Sequence, residues 1–276
     1  MTNEHFRHIV LDPRPTAKKP TLDPADIVRL DKFKFINKEF PLEVLKIYES
    51  PLNKIRLGRG GDGGYVIVEG LEYDALVSCG VSDDDSFEHS FISSYNIPAF
   101  AFDGTVDSLP NKHDKIKFIK KNISDINSET EDNLKDLISS YTDIFLKMDI
   151  EGDEYIWLNN LTDEELLKFK QIVIEIHEPY EKYKWKCLSR LRESHWAFHF
   201  HPNNCGAVCF HGGTRVPEIF EMTYVRKSEI NKTPKPNKDC FPTDLDKPND
   251  LNRPVITYEG SPYCENQLDW KSKFLN

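Results

Sequence analysis

Short runs of β-branched and aromatic residues recur through the middle of the chain, separated by segments whose apolar residues return every three or four positions. The runs fall at 75–81 (ALVSCGV), 99–103 (AFAFD), 116–123 (IKFIKKNI), 143–149 (DIFLKMD), 171–177 (QIVIEIH), 197–201 (AFHFH) and 219–225 (IFEMTYV). Near-continuous apolar runs suit strands covered on both faces, and strands alternating with helices read as βαβ units of a largely parallel sheet. The helix candidates are 86–95 (SFEHSFISSY), 130–139 (TEDNLKDLIS), 153–160 (DEYIWLNN), 162–169 (TDEELLKF) and 183–194 (YKWKCLSRLRES), with Thr162 and Glu165 spaced as a capping box. The expected fold is therefore α/β: a Rossmann-like, seven-stranded sheet with helices on both faces.

A chain of 276 residues is long enough for one large domain of this kind. We expect an arm with short helices over 1–50, the main domain over 51–230, and a Pro- and Asn-rich tail over 231–276 that wraps the surface or is partly disordered. Asp and Glu number 46 against 36 Lys and Arg, a net charge of -10 that argues against a nucleic-acid partner. The start lacks a secretory apolar segment, and no stretch is long and apolar enough for a membrane span, so a cytoplasmic protein is expected. Six cysteines without C-x-x-C spacing are expected as reduced thiols, although Cys205 and Cys209, four apart and near three histidines, leave a zinc site open.

Gly58, Gly60 and Gly63 satisfy G-x-G-x-x-G, but that motif cradles pyrophosphate only between a strand and a helix. Here the strand-like YVIV follows. The glycines are better read as a tight turn leading into a strand.

Ligands of open α/β sheets bind beyond the carboxyl ends of the strands, so the residues ending each run are the candidates. The first run ends in Cys79-Gly80-Val81-Ser82 followed by Asp83, Asp84 and Asp85, and the second ends in Asp103, 23 positions after Gly80. A glycine that admits a ligand and an acidic residue suited to a ribose diol together point to an adenosine ligand. Three aspartates repel phosphate, which favours a cationic one such as S-adenosylmethionine; equally, they suit the start of helix 86–95.

The stretch FLKMDIEGDEYIW places Asp149 and Glu151 at the end of a buried run. Asp153 and Glu154 suit the positive end of the following helix. In QIVIEIH, Glu175 and His177 share one face by the period of two, and in strand 197–201 His199 and His201 share a face while Trp196, Phe198 and Phe200 take the other. Buried carboxylates need a partner. A divalent cation on Asp149 and Glu175, or a histidine base at His177 or His201, would supply one.

The residues K-M-D-I-E-G-D-E from Lys147 to Glu154 resemble the K-x-D-x-E-G-x-E signature of the FkbM-type S-adenosylmethionine-dependent methyltransferases, and Glu175 is similar to an acidic position of that family. GDGGYV, SCGVSDDDSFE, AFDGT and HFHPNNCG followed by VPEIFEMTYV agree in order, so the resemblance runs from about Arg56 to Arg226. It implies the seven-stranded class I methyltransferase fold and methylation of hydroxyls on sugars or natural products. The family's glycine-rich first motif is reduced here to Cys79-Gly80-Val81-Ser82. The resulting expectation is an O-methyltransferase acting on a sugar or glycan. Gly80, Asp83 and Asp103 would contact the S-adenosylmethionine, with Ser124 and Asp125 near its adenine. Asp149, Glu151, His177 and His201 would serve the reaction, and Mg2+ or Mn2+ would sit on Asp149 and Glu175. Two alternatives stand beside it: a metal-dependent hydrolase using Asp149, Glu175 and His177, and a non-catalytic cofactor-binding protein.

Overall fold

Residues 39–265 are described by the computed structural model. The arm over 1–20 and most of the helices expected after Leu22 lie outside these residues; within them a 3-10 turn spans Leu42–Leu45. The strands in chain order are β1 (Lys54–Leu57), β2 (Tyr65–Val68), β3 (Ala75–Cys79), β4 (Ala99–Phe102), β5 (Ile116–Ile119), β6 (Asn122–Ile123), β7 (Glu131–Asp132), β8 (Ile144–Met148), β9 (Phe169–His177), β10 (His195–Pro202), β11 (Val208–His211), β12 (Thr214–Pro217) and β13 (Ile219–Arg226). The α-helices are α1 (Ser86–Tyr95), α2 (Lys135–Ser140), α3 (Glu154–Asn160), α4 (Asp163–Leu166) and α5 (Lys182–Ser194).

Seven strands form one mixed sheet in the order β5-β4-β3-β8-β9-β13-β10. Pairing is parallel from β5 to β9, while β13 runs antiparallel to both β9 and β10. The chain leaves β3 outward through β4 and β5 and then returns to place β8 on the other side of β3. The two strand ends diverge there, which is where this architecture opens a crevice. The fold is thus a mixed α/β sheet flanked by helices, consistent with a Rossmann-like fold.

Each face is covered by its own apolar cluster. On one, Tyr155, Trp157 and Leu158 of α3 and Leu188 and Leu191 of α5 pack with Leu146, Ile172 and Ile174. On the other, Phe87 and Phe91 of α1 meet Phe145, with the Phe91 and Phe145 rings 4.5 Å apart. The β1-β2 hairpin lies over the same face, where Gln171 exchanges hydrogen bonds with both the N–H and C=O of Val68. Gly58 and Gly63 adopt positive φ between β1 and β2, so the glycine run is a hairpin turn and not a phosphate loop.

Several expected elements are shorter or divided. The run 116–123 breaks after Ile119, because Lys121 N–H turns back onto Ile119 C=O and β6 pairs with β7 instead. Helix 130–139 begins only at Lys135, after Asp132 and Asn133 side chains accept the N–H groups of Leu134 and Lys135. Helix 162–169 is the single turn of α4, opened by the expected capping box, and Phe169 already belongs to β9. In β10 a bulge between Ala197 and His199 overturns the expected common face of the aromatics. Phe198 packs with Val68, Val225 and Trp196, whereas Phe200 turns to the opposite cluster. The β11-β12 hairpin has no counterpart in the sequence reading.

The tail does more than wrap. Phe241, Tyr258 and Tyr263 are buried around Phe200, with ring centroids 5.7, 5.7 and 4.7 Å from it. Phe200→Ala should therefore lower stability by about 3–5 kcal/mol in urea titration, and native-state hydrogen exchange should show protection lost in 237–265 before the central strands.

Candidate functional site

The ends of β3 and β8 meet at Gly80. Its φ is +76°, and a Cβ there would overlap the backbone carbonyl oxygen of Asp149. Lys147, buried inside β8, donates to the Gly80 carbonyl and holds its ammonium 5.2 Å from the Tyr65 ring centre. Beside it Ser78 donates to Glu88, whose second carboxylate oxygen is buried without a hydrogen-bond partner.

Beyond this junction a cleft of about 440 Å³ opens at the carboxyl ends of β3, β4 and β8. Asp62, Asp83, Asp84, Glu88, Asp103, Asp149, Glu151 and Asp153 line it against Arg59, Lys121 and Lys147. Arg59 is committed to Asp84 at 3.0 Å and to the carbonyl of Asp62, and Lys147 to Gly80. The cleft thus favours a cation and disfavours phosphate.

Of the expected cofactor residues, Gly80, Asp83 and Asp103 line the cleft. Asp83 is exposed at its rim. Asp103 accepts from the N–H groups of Val81 (3.1 Å), Ser82 (2.8 Å) and Thr105 (2.7 Å) and from the Thr105 hydroxyl (2.6 Å), which fills a carboxylate's four acceptor positions. Burial works to raise its pKa, but these bonds hold it below the usual value. Ser124 and Asp125 do not line the cleft; Lys121, Asn122 and Ile123, immediately before them, do, because the strand ends early at Ile119. The Lys120-Lys121 pair closing the apolar run was the signal for that earlier end. Asp84 accepts from Ser86 N–H at the start of α1, so part of the acidic run does serve the helix.

At one end of the cleft the loop after β8 turns sharply through Glu151 (φ +59°) and Gly152 (φ +112°). Asp149 receives the Tyr65 hydroxyl at 2.9 Å on one oxygen, while its other oxygen is buried without a partner. His177 is not part of the cleft lining but lies against Glu151 and Glu154 of this loop. Its Nδ1 lies 3.0 Å from Glu154 and its Nε2 3.5 Å from both Glu151 and Glu175. Glu175 in turn accepts from Asn203 at 2.7 Å. Glu154 also accepts the N–H of Gly152, so a residue read as a helix-start charge is a buried brace for the loop and for the imidazole. Neither Tyr65 nor Glu154 was singled out from the sequence, although Glu154 closes the K-x-D-x-E-G-x-E stretch.

Burial, then the carboxylates of Asp149 and Glu221, push the Glu175 pKa well above the ordinary range. Burial pulls the His177 pKa down, but Glu154, Asp149 and Glu151 together raise it. Asp149, Glu151 and His177 offer three ligand atoms within 4.8 Å of one another, a donor set of two oxygens and one nitrogen. With one Asp149 oxygen lacking any other partner, this group fits a divalent cation better than the expected Asp149 and Glu175 pair, since Glu175 is tied to Asn203. Among the described residues Cys205 and Cys209 join no comparable group.

His201, the other expected base, stands apart. It pairs with Glu221, which pairs with Glu175 across β13, so two strand spacings, about 10 Å, separate it from that carboxylate. It is buried among Asp246 at 3.2 Å, Asn249 at 3.0 Å and Glu221 at 4.0 Å, while His199 shares Asp246 at 2.8 Å. The structure brings His177, not His201, to Asp149.

What fold and site define is an α/β protein with an acidic cleft at its switch point and a carboxylate-imidazole group at one end. No protein-family model matches the chain, and no curated protein matches it either. The residues of the site therefore carry the functional reading themselves.

The buried His201 has a consequence for stability. Burial would lower its pKa, yet Glu221 and Asp246 raise it to about 9, while burial pushes Glu221 up to about 7. A histidine whose folded pKa exceeds its unfolded value stabilises fully below about pH 6.5 and loses that contribution as pH rises through about 9. Ionisation of Glu221 acts in the same direction. Thermal melts from pH 6.5 to 9.5 should fall by the equivalent of roughly 3 kcal/mol, and His201→Gln should be less stable at pH 6.5 and flatten the profile.

Proposed function

We propose that this protein is an S-adenosylmethionine-dependent O-methyltransferase acting on a hydroxyl of a sugar or glycan. The observation that carries the reading is the acidic cleft at the β3-β8 switch point, with Asp149 and Glu151 lining one end of it and His177 grouped with them. A seven-stranded sheet is what the class I methyltransferases are expected to have. A sulfonium and an ammonium suit a carboxylate-rich cleft, whereas the phosphates of a dinucleotide do not. Asp103, committed to Val81, Ser82 and Thr105, serves here by fixing the loop over which the adenosine would lie.

When bound, the cofactor supplies the electrophilic methyl group. The chain's own residues do the rest. Asp149 and Glu151 grip and orient acceptor hydroxyls through charge-assisted hydrogen bonds, which suits a polyhydroxylated substrate. His177 takes the proton of the attacking hydroxyl on Nε2, with its ring held at Nδ1 by Glu154. Because neighbouring carboxylates favour its charged form, the base form needs pH above the ordinary histidine range, and turnover should rise into the alkaline region. Direct displacement needs donor and acceptor in line, so positioning on the rigid ends of β8 and β9 contributes much of the rate. Mg2+ or Mn2+ on Asp149, Glu151 and His177 would instead acidify the hydroxyl.

That same ligand group favours a second reading, a metal-dependent hydrolase in which Glu151 takes the ligand place expected of Glu175 beside Asp149 and His177. It predicts activity without any adenosine compound. A non-catalytic protein of this fold would bind the cofactor and turn nothing over.

Calorimetric titration with S-adenosylmethionine and S-adenosylhomocysteine, with and without chelator and added Mn2+, tests the reading. Saturable binding is expected, and a shift on chelation would mark a coupled metal. Absence of binding under every condition removes the methyltransferase and leaves the hydrolase. Asp149→Asn is expected to keep the native circular dichroism and cofactor binding while cutting turnover by about 10²–10⁴-fold; an unimpaired variant would take Asp149 out of the reaction.

A further inference from the structure

The tail returns on itself between Asn237 and Glu265. Glu265 N–H donates to Asn237 C=O at 2.8 Å, Asn237 Nδ2 donates to Tyr263 C=O at 2.9 Å, and Phe241 and Tyr258 exchange two backbone bonds of 3.0 and 2.7 Å. None of these bonds involves sulfur. They nevertheless bring Cys240 and Cys264 together, with Sγ atoms 3.6 Å apart, in thiol–thiol hydrogen-bond contact and not joined by a disulfide. We propose that Cys240 and Cys264 are an oxidation site at which a disulfide closes residues 240–264 into a covalent loop, the oxidant being a low-molecular-weight disulfide such as glutathione disulfide.

A disulfide needs sulfurs about 2.05 Å apart, so closure requires an approach of about 1.5 Å, within reach of side-chain rotation while the backbone stays tied. Cys264 is 5% exposed and Cys240 partly exposed, so the oxidant meets Cys240 first. The Cys240 thiolate attacks one sulfur of glutathione disulfide, forming a mixed disulfide and releasing one glutathione. Cys264 then attacks the Cys240 sulfur and releases the second. The two protein thiols lose two protons and two electrons, and one glutathione disulfide becomes two glutathiones. Burial and the adjoining Cys264, Glu259 and Asp239 hold the Cys240 thiol up at about 12, so the first step is slow at neutral pH and quickens as pH rises.

The loop so closed has work in the rest of the fold. Its Asp246 binds His199 and His201, its Asn249 reaches His201 and also Asp62 on the cleft, and its Asp250 exchanges hydrogen bonds with Asn204. Bridging the two ends removes freedom from the unfolded tail and so secures these contacts. The inference is independent of any reading of the cleft.

The test is to incubate the folded full chain with glutathione disulfide at pH 7.5 and 9 (on the order of the two sides of the ordinary thiol value), digest without reduction, and map cross-links by mass spectrometry. A Cys240–Cys264 peptide pair lighter by two hydrogens, formed faster at the higher pH and lost with dithiothreitol, is expected. The oxidised chain should melt about 6 °C above the reduced one. Cys240→Ser and Cys264→Ser should each lose both the cross-link and the shift. Stalled glutathione adducts, cross-links to other cysteines, or no reaction in the native protein would overturn the assignment, and a cross-link without a rise in melting temperature would overturn the fastening of the loop. The wild-type cross-link decides the matter even if a variant fails to fold.

Discussion

The contact on which the site depends is the one between Gly80 and the backbone of Asp149. The ends of β3 and β8 approach so closely that no side chain fits between them, and Lys147 reaches from within β8 to hold the Gly80 carbonyl. A lysine in the middle of a buried strand is tolerable only when its charge is compensated. Here the compensation comes from a carbonyl, the face of Tyr65 and the nearby Glu88 carboxylate, which Lys147 in turn holds toward its charged form against burial. The lysine thus ties the floor of the cleft to the loop above it, and Asp149 follows two residues later with its carboxylate already aimed.

Electrostatics explains why the neighbouring row is so unusual. Across β9 and β13, Glu175 and Glu221 stand directly opposite each other, with Asp149 beside Glu175 at the end of β8. Three carboxylates at such spacing cannot all ionise in a buried setting, and both glutamates are pushed toward their neutral forms. Strongly shifted carboxylates of this kind cluster at functional sites, which is why the row draws attention to the Asp149 end. At the other end the cost is partly offset by the charges of His201 and Arg56 beside Glu221.

The sheet edge and the tail are coupled through one irregularity. The bulge in β10 lets Phe198 and His199 both face the β1-β2 hairpin side, where Lys54 donates to Phe198 C=O and lies 3.4 Å from His199. Past the bulge, Phe200 is delivered to the opposite cluster and becomes the anchor for Phe241, Tyr258 and Tyr263. The tail thus meets the strand through both Phe200 and the histidines, with Asp246 on His199 and His201 and the Phe241 ring in contact with His199 (5.3 Å) as well as Phe200 (5.7 Å).

Periodicity and composition by themselves placed the start of each of the seven sheet strands within two residues, and determined that the sheet is largely parallel, that Thr162 caps a helix, and that Glu175 and His177 share a face near Asp149. These are properties of a few consecutive residues, governed by side-chain alternation and local hydrogen bonds. Strand order, the antiparallel β13, the Tyr65 hydroxyl on Asp149, Glu154 beneath His177, the saturation of Asp103 and the removal of His201 from the site were decided only by tertiary structure. Tyr65 precedes Asp149 by 84 positions and Asp246 follows His201 by 45, so no local period links them. Such partners are chosen by which faces the packed sheet leaves in contact, and a buried polar group takes whichever partner that packing brings within hydrogen-bond reach.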